Sequence, residues 1–184
     1  MNLEELRTGL KSTYQDNNKA EKELKAKGYT LDKSLSGQRA KVFVDDETGQ
    51  AYVAHRGTKG AQDYITDAKL MMGIKDSKRL KHAQHVRQQA ENKYGSVDSI
   101  GHSLGGYVAE NSGNKKGKVI TFNKASIGDK NRNSNQTDIR TSNDIISFLT
   151  PKHKNNITLK IKTNNPLKEH PTKVLKRHKN IIFG

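Results

Sequence analysis

Residues 96–110 read SVDSIGHSLGGYVAE, with a serine between glycines, an apolar segment just before it and another just after. Val97 to Gly101 has the length and character of a short buried strand, and Leu104 to Glu110 that of a helix start. Ser103 stands at the junction. A serine on a sharp strand-to-helix turn is the nucleophile elbow, in which a strained backbone presents the hydroxyl at the end of a sheet strand. Such a turn needs small neighbours. Gly101 and Gly105 leave room for it, and Gly106 lets the helix approach the sheet. The competing reading is a surface turn with a spectator serine, so the rest of the chain must supply catalytic partners.

The flanking sequence predicts strands alternating with helices. AKVFVDDETGQAYVAHR, residues 40–56, predicts two strands about a turn at Glu47-Thr48-Gly49. Ser77 to Tyr94 predicts a helix capped by Ser77, with Leu80, Ala83, Val86, Ala90 and Tyr94 on one face. Residues 61–73 suit a short helix, and residues 2–27 one or two polar helices. GKVITFN, residues 117–123, is a continuous apolar run of the kind buried in a parallel sheet. DIRTS (138–142) and NITLKIKT (156–163) predict further strands, and Pro171 to Phe183 a terminal helix. This order predicts an α/β fold, a mostly parallel central sheet with helices on both faces. The expected organisation is an N-terminal helical segment, 1–27, and one compact domain, 28–184.

Composition narrows the function. The chain has 184 residues, 31% of them hydrophobic, and no cysteine, which excludes disulfides and thiolate metal sites. No cofactor or metal is expected. The amino end lacks the apolar core of a signal peptide, and no run approaches the roughly 18 apolar residues of a membrane span. A soluble protein, cytoplasmic or virion-associated, is therefore expected. Net charge is +15, and from Pro151 onward nine Lys or Arg face a single acid, Glu169. Such a surface should attract anionic lipid head groups or anionic polymers. No zinc-finger spacing or RNP-type aromatic pattern accompanies the charge, so nucleic acid is not an expected partner.

A serine hydroxyl needs an imidazole to take its proton and an acid to orient that imidazole. In elbow hydrolases the chain order is serine, acid, histidine. The downstream acids are Glu110, Asp129, Asp138, Asp144 and Glu169; the histidines are His153, His170 and His178. Glu110 lies on the elbow's own helix and points away, Asp129 sits in a polar loop, and Asp138 begins a strand at its amino end. Asp144 follows that strand at its carboxyl end, the edge where catalytic groups of such sheets gather, and leads the acids. His170 stands between the last strand and the last helix and leads the histidines, with His178 second. The oxyanion is expected to meet the amide of Leu104 and a second donor at Thr58, after the strand AYVAH.

Three blocks resemble the fungal-type (class three) lipase family of the α/β-hydrolase superfamily. AYVAHRGTKGAQDYITDAKL resembles its strand, RGT and D-W-x-x-D block, SIGHSLGGYVAE its elbow, and IRTSNDIISFL its acid segment. NPLKEHPTKVL resembles the terminal histidine segment of short members, and the similarity spans roughly residues 28–175. The resemblance implies Ser103 as nucleophile, Asp144 as acid, His170 as base, and Thr58 with Leu104 as oxyanion hole. It implies Asp67 as the acid that steadies the oxyanion hydroxyl, and Lys59 to Asp67 as a lid with Tyr64 where the family carries tryptophan. The small size, the missing disulfides and the missing signal peptide imply a phage- or virus-like short version. The expected activity is a serine esterase or lipase-like acyl hydrolase, forming an acyl-serine on lipid or small ester substrates. An anionic membrane surface is the expected further partner. The alternative is a basic nucleic-acid- or membrane-binding module on an inactive hydrolase scaffold, and amide hydrolysis by the same triad stays open.

Overall fold

The computed structural model describes residues 1–58, 78–113, 116–125, 134–142, 156–160 and 172–177. Among them, seven strands form one sheet: β1 (Tyr29–Asp32), β2 (Ala40–Asp45), β3 (Ala51–His55), β4 (Val97–His102), β5 (Val119–Phe122), β6 (Gln136–Thr141) and β7 (Asn156–Leu159). Their order across the sheet is their order in the chain. β1, β2 and β3 pair antiparallel, and every pair from β3 to β7 is parallel. The expected α/β architecture is the one observed. The β2–β3 hairpin turns at the expected place, where Gly49 takes φ 72°, a region glycine enters without a steric penalty.

Among the described residues four α-helices accompany the sheet: α1 (Leu3–Ser12), α2 (Asn17–Lys25), α3 (Lys78–Tyr94) and α4 (Leu104–Asn111). A parallel crossover is almost always right-handed, so strands added steadily in one direction place their crossover helices on one face. α3 and α4, the described crossovers of β3–β4 and β4–β5, both pack against β3 and β4 and against each other. On that face Val86 and Ala90 of α3 meet Val42, Val53 and Val97. The opposite face needs another cover. Leu3, Leu6 and Leu10 of α1 and Ala20 and Leu24 of α2 supply it, packed with Phe43, Tyr52, Ile100, Phe122 and Ile139.

The N-terminal helices are thus amphipathic rather than simply polar. α1 starts with a capping box: Asn2 Oδ1 accepts from the amides of Glu4 and Glu5, and Glu5 Oε2 accepts from the Asn2 amide at 2.6 Å. With its end tied, three leucines at helical spacing suffice, each with no exposed surface. Burying such a side chain is worth about 1.5–3 kcal/mol. β1 is the strand that the periodicity does not predict. Its Asp32 carboxylate accepts from Lys93 Nζ (2.7 Å) and Tyr94 hydroxyl (2.8 Å) at the end of α3. Burial alone would raise its pKa, but these bonds and that from Ser34 hold it well below the carboxylate range.

The tail also differs from expectation. Residues 172–177, inside the predicted terminal helix, form a 3₁₀ helix, Thr172–Arg177. Val174 and Leu175 are buried, and Leu175 joins the α1 side of the core. The predicted helix over 61–73 and the Ser77 cap lie outside the described residues. Among the described residues no helix is long and apolar enough to cross a membrane.

Candidate active site

The parallel register brings the carboxyl ends of the strands to one edge. His55 of β3 pairs with Gly101 of β4, and His102 with Phe122 of β5. Ser103 follows β4 directly, with φ 56° and ψ −126°. For a residue with a Cβ, this backbone region costs on the order of 1–3 kcal/mol and persists only where the surroundings enforce it. The enforcement is visible. Ser103 N–H donates to the Phe122 carbonyl at 3.0 Å, and the Ser103 carbonyl accepts from Gly106 (2.9 Å) and Ala125 (3.1 Å). Although Ser103 occupies the cap position of α4, its side chain makes no capping bond, which leaves the hydroxyl for other use.

Sterics explain the glycines. A Cβ at Gly101 would stand 2.0 Å from the Gly105 carbonyl oxygen, and one at Gly105 would stand 2.1 Å from the His55 carbonyl oxygen. A Cβ at Gly106 would press the Lys124 stem at 3.1 Å. Helix α4 therefore lies directly on the ends of β3 and β4, as the elbow reading requires. Gly57, two residues beyond His55, is equally confined: a Cβ there would meet the His102 carbonyl oxygen and the Tyr14 hydroxyl, each at 2.7 Å, and Ser103 Cβ at 3.3 Å. The loop carrying Thr58 thus passes beside Ser103. Among the described residues neither the Leu104 nor the Thr58 amide has an acceptor. Leu104 is the first residue of a helix, where amides are intrinsically unpaired.

Ser103 is 1% exposed. The sequence suggests a serine perched on an accessible tip; the structure holds it beneath its neighbours.

Two supporting layers were not legible beforehand. Tyr14, between α1 and α2, accepts from the Gly57 amide at 3.1 Å, and its oxygen lies 3.1 Å from His102 Nδ1. His102 is buried and stacks on Phe122 at 5.6 Å. Tyr14 thereby ties the loop after β3 to His102, the residue before Ser103. Behind α4, Lys124 Nζ meets Glu110 Oε1 at 2.7 Å and Asp138 Oδ2 at 3.4 Å. Gln136 donates to both acids, and Thr121 donates to Asp138 at 2.6 Å. Buried charges persist only when paired in this way. Glu110 and Asp138, set aside as triad acids, are both engaged here. Asp138 is the third residue of β6 rather than its first, and it is held by partners rather than misplaced at the amino end.

His55, the last residue of β3, is 1% exposed, and its Nε2 has no hydrogen-bond partner among the described residues. Burial, then the positive charge of Arg79, pulls its pKa down to about 3, so the ring stays neutral. Asp67, Asp144, His170 and His178, and the segment from Lys59 to Asp67 with Tyr64, lie outside the described residues.

A family model described as "Phospholipase-like: Tle-like phospholipase domain" matches residues 5–146. Among solved structures, one described as a crystal structure of fungal lipases superposes with a TM-score of 0.52 at 13% identity, covering 89% of this chain and 81% of that one. The Lip2 lipase from Yarrowia lipolytica gives a TM-score of 0.43 at 16% identity, covering 77% of this chain and 70% of that one. No curated protein matches at a significant level. The first of these structures shares the α/β-hydrolase fold with the sheet and helices described above.

Proposed function

The chain belongs to the phospholipase-like family, that of the Tle-like phospholipase domain, and on that premise we propose that it is a serine acyl hydrolase of lipid esters, working through a Ser103–His170–Asp144 triad. The observation that carries the proposal is the uncapped Ser103 on a strained turn locked by Gly101 and Gly105 at the carboxyl edge of the sheet. Strain of this kind is retained where function requires it.

In the proposed cycle Ser103 Oγ attacks the ester carbonyl while His170 accepts its proton, Asp144 holding the imidazole in the required tautomer. The amides of Leu104 and Thr58 receive the oxyanion, with Asp67 steadying the Thr58 hydroxyl. His170 then protonates the leaving alcohol, and water repeats the sequence on the acyl-serine. Chain connectivity supports the acid: Ser142 is described at the end of β6, and two further residues span at most about 7 Å. His170 likewise stands two residues before the anchored 3₁₀ helix.

Because Ser103 is buried, a lipid surface that opens the site should matter: activity should rise on anionic vesicles relative to soluble esters. The deciding experiment is labelling with a fluorophosphonate probe and mapping of the modified residue. Label on Ser103, and loss of at least about 10³-fold in ester hydrolysis by Ser103→Ala with an unchanged fold, is expected. Absence of label together with salt-sensitive binding of anionic polymers would replace this reading with that of an inactive, basic binding module.

A further inference from the structure

Beside the elbow lies a cavity of about 500 Å³, walled by Tyr14, Gln15, Asp16, Asn17, Lys41 and Arg56 among others. It opens at the catalytic edge: Lys41 pairs with Ala54 near the end of β3, and Arg56 begins the loop that carries Gly57 and Thr58. Tyr14 forms the partition between cavity and nucleophile. Its hydroxyl accepts from the Gly57 amide, and Gly57 lies against Ser103.

The wall holds more donor capacity than it uses. Lys41 is 2% exposed, yet its ammonium meets one acceptor among the described residues, Asn17 Oδ1 at 2.5 Å. An ammonium has three protons to give. The Arg56 guanidinium has no hydrogen-bonding or ionic partner among the described residues, and its Nε is buried. The one acid on the wall, Asp16, already accepts from the Lys19 amide as the cap of α2. Two cations thus face one partly engaged carboxylate, and α2 begins in the same wall, adding the positive end of its dipole. Buried cationic donors left unmatched are costly. A ligand with several anionic oxygens would satisfy both, a guanidinium fork taking two oxygens and the ammonium acting as a point charge.

We propose that Lys41 and Arg56 form a phosphate-recognising subsite that holds the head-group phosphodiester of a phospholipid while its acyl ester lies at Ser103. The proposal rests on the acyl-hydrolase reading for the ester and on the cavity alone for the phosphate. In a phospholipid the phosphate and the ester carbonyl are only a few bonds apart, matching a subsite separated from the nucleophile by the Tyr14–Gly57 partition.

The test has two arms on the full chain. In the first, Ser103→Ala protein is titrated by calorimetry with glycerophosphoglycerol and, separately, with inorganic phosphate. The expected result is saturable glycerophosphoglycerol binding, weakened at least about tenfold by Arg56→Gln and by Lys41→Met. In the second, kcat/KM on phosphatidylglycerol is divided by kcat/KM on diacylglycerol of the same chains in mixed micelles. Arg56→Gln should lower that ratio about tenfold, chiefly through KM, and Arg56→Lys should recover part of it. Lys25→Gln, an exposed change of equal charge, should leave the ratio where it was. Should Lys41→Met fail to fold, Arg56, which is only partly buried, decides the matter alone. Binding of inorganic phosphate without the diester would overturn the head-group assignment, as would a ratio and diester affinity unmoved by Arg56→Gln. If no ester is cleaved, the acyl-hydrolase reading falls while the calorimetry still judges the subsite.

Discussion

At the elbow, an added Cβ on Gly101 or Gly105 would fall about 2 Å from a carbonyl oxygen. In the neighbouring cavity, about 500 Å³ stays open between Tyr14, Lys41 and Arg56. The first region is fixed by the absence of room. The second has room, and what it leaves over is hydrogen-bonding capacity. Reactive groups gain from immobility, because misplacement by an ångström is costly to rate. Recognition gains from donors that the protein itself does not satisfy. Substitutions in the two regions should therefore fail differently, one in folding and the other in ligand handling.

The sharpest way to break the contrast is Gly105→Ala. Its methyl would overlap the His55 carbonyl, so α4 must leave the sheet, at a cost of about 4 kcal/mol or more. Urea denaturation should find the protein unfolded or barely folded; near-wild-type stability would mean the elbow is held by something other than steric exclusion. Tyr14→Phe probes the partition between the regions. The Gly57 amide loses its acceptor, which should cost about 1–3 kcal/mol, and kcat should fall more than KM rises. A variant that changes only phosphate affinity would assign the hydroxyl to the cavity alone.

The remaining expected effect is pH-dependent. His55, whose carbonyl abuts Gly105, titrates near 3 when folded against the ordinary 6.5. Between those values the unfolded chain binds a proton that the folded one refuses, so stability is intact above pH 6.5 and declines as pH falls, by up to about 1.4 kcal/mol per unit. His55→Leu, with an apolar side chain where Nε2 had no partner, should flatten that acid limb in urea titrations at pH 7 and 4.5. An unchanged slope would place the acid sensitivity elsewhere.

The elbow was readable because its sterics are written locally, as glycines at fixed offsets from Ser103. β4, α4, β5 and the β2–β3 hairpin were readable because apolar runs and a turn glycine carry them. β1 was not, being four residues long and defined by pairing with Val42 to Asp45. The leucines of α1 were hidden among charges, and their burial depends on a sheet face that exists only after folding. Tyr14 and His102 meet across 88 positions of chain, a distance no local pattern spans. Nothing in AKVFVD marks Lys41 as buried, because its burial depends on the neighbours that the fold brings to it.

The strictly sequential arrangement of the sheet bears on how the molecule is made. No strand has to be threaded between two that are already zipped, so each can dock on an existing border as it leaves the ribosome. The N-terminal helices, synthesised first, are available to cover the growing border from below, which limits the time that apolar surface stays bare. The strained turn at Ser103 is thus set once β5 docks on β4 and Phe122 and Ala125 hold it, before β6 and β7 complete the sheet.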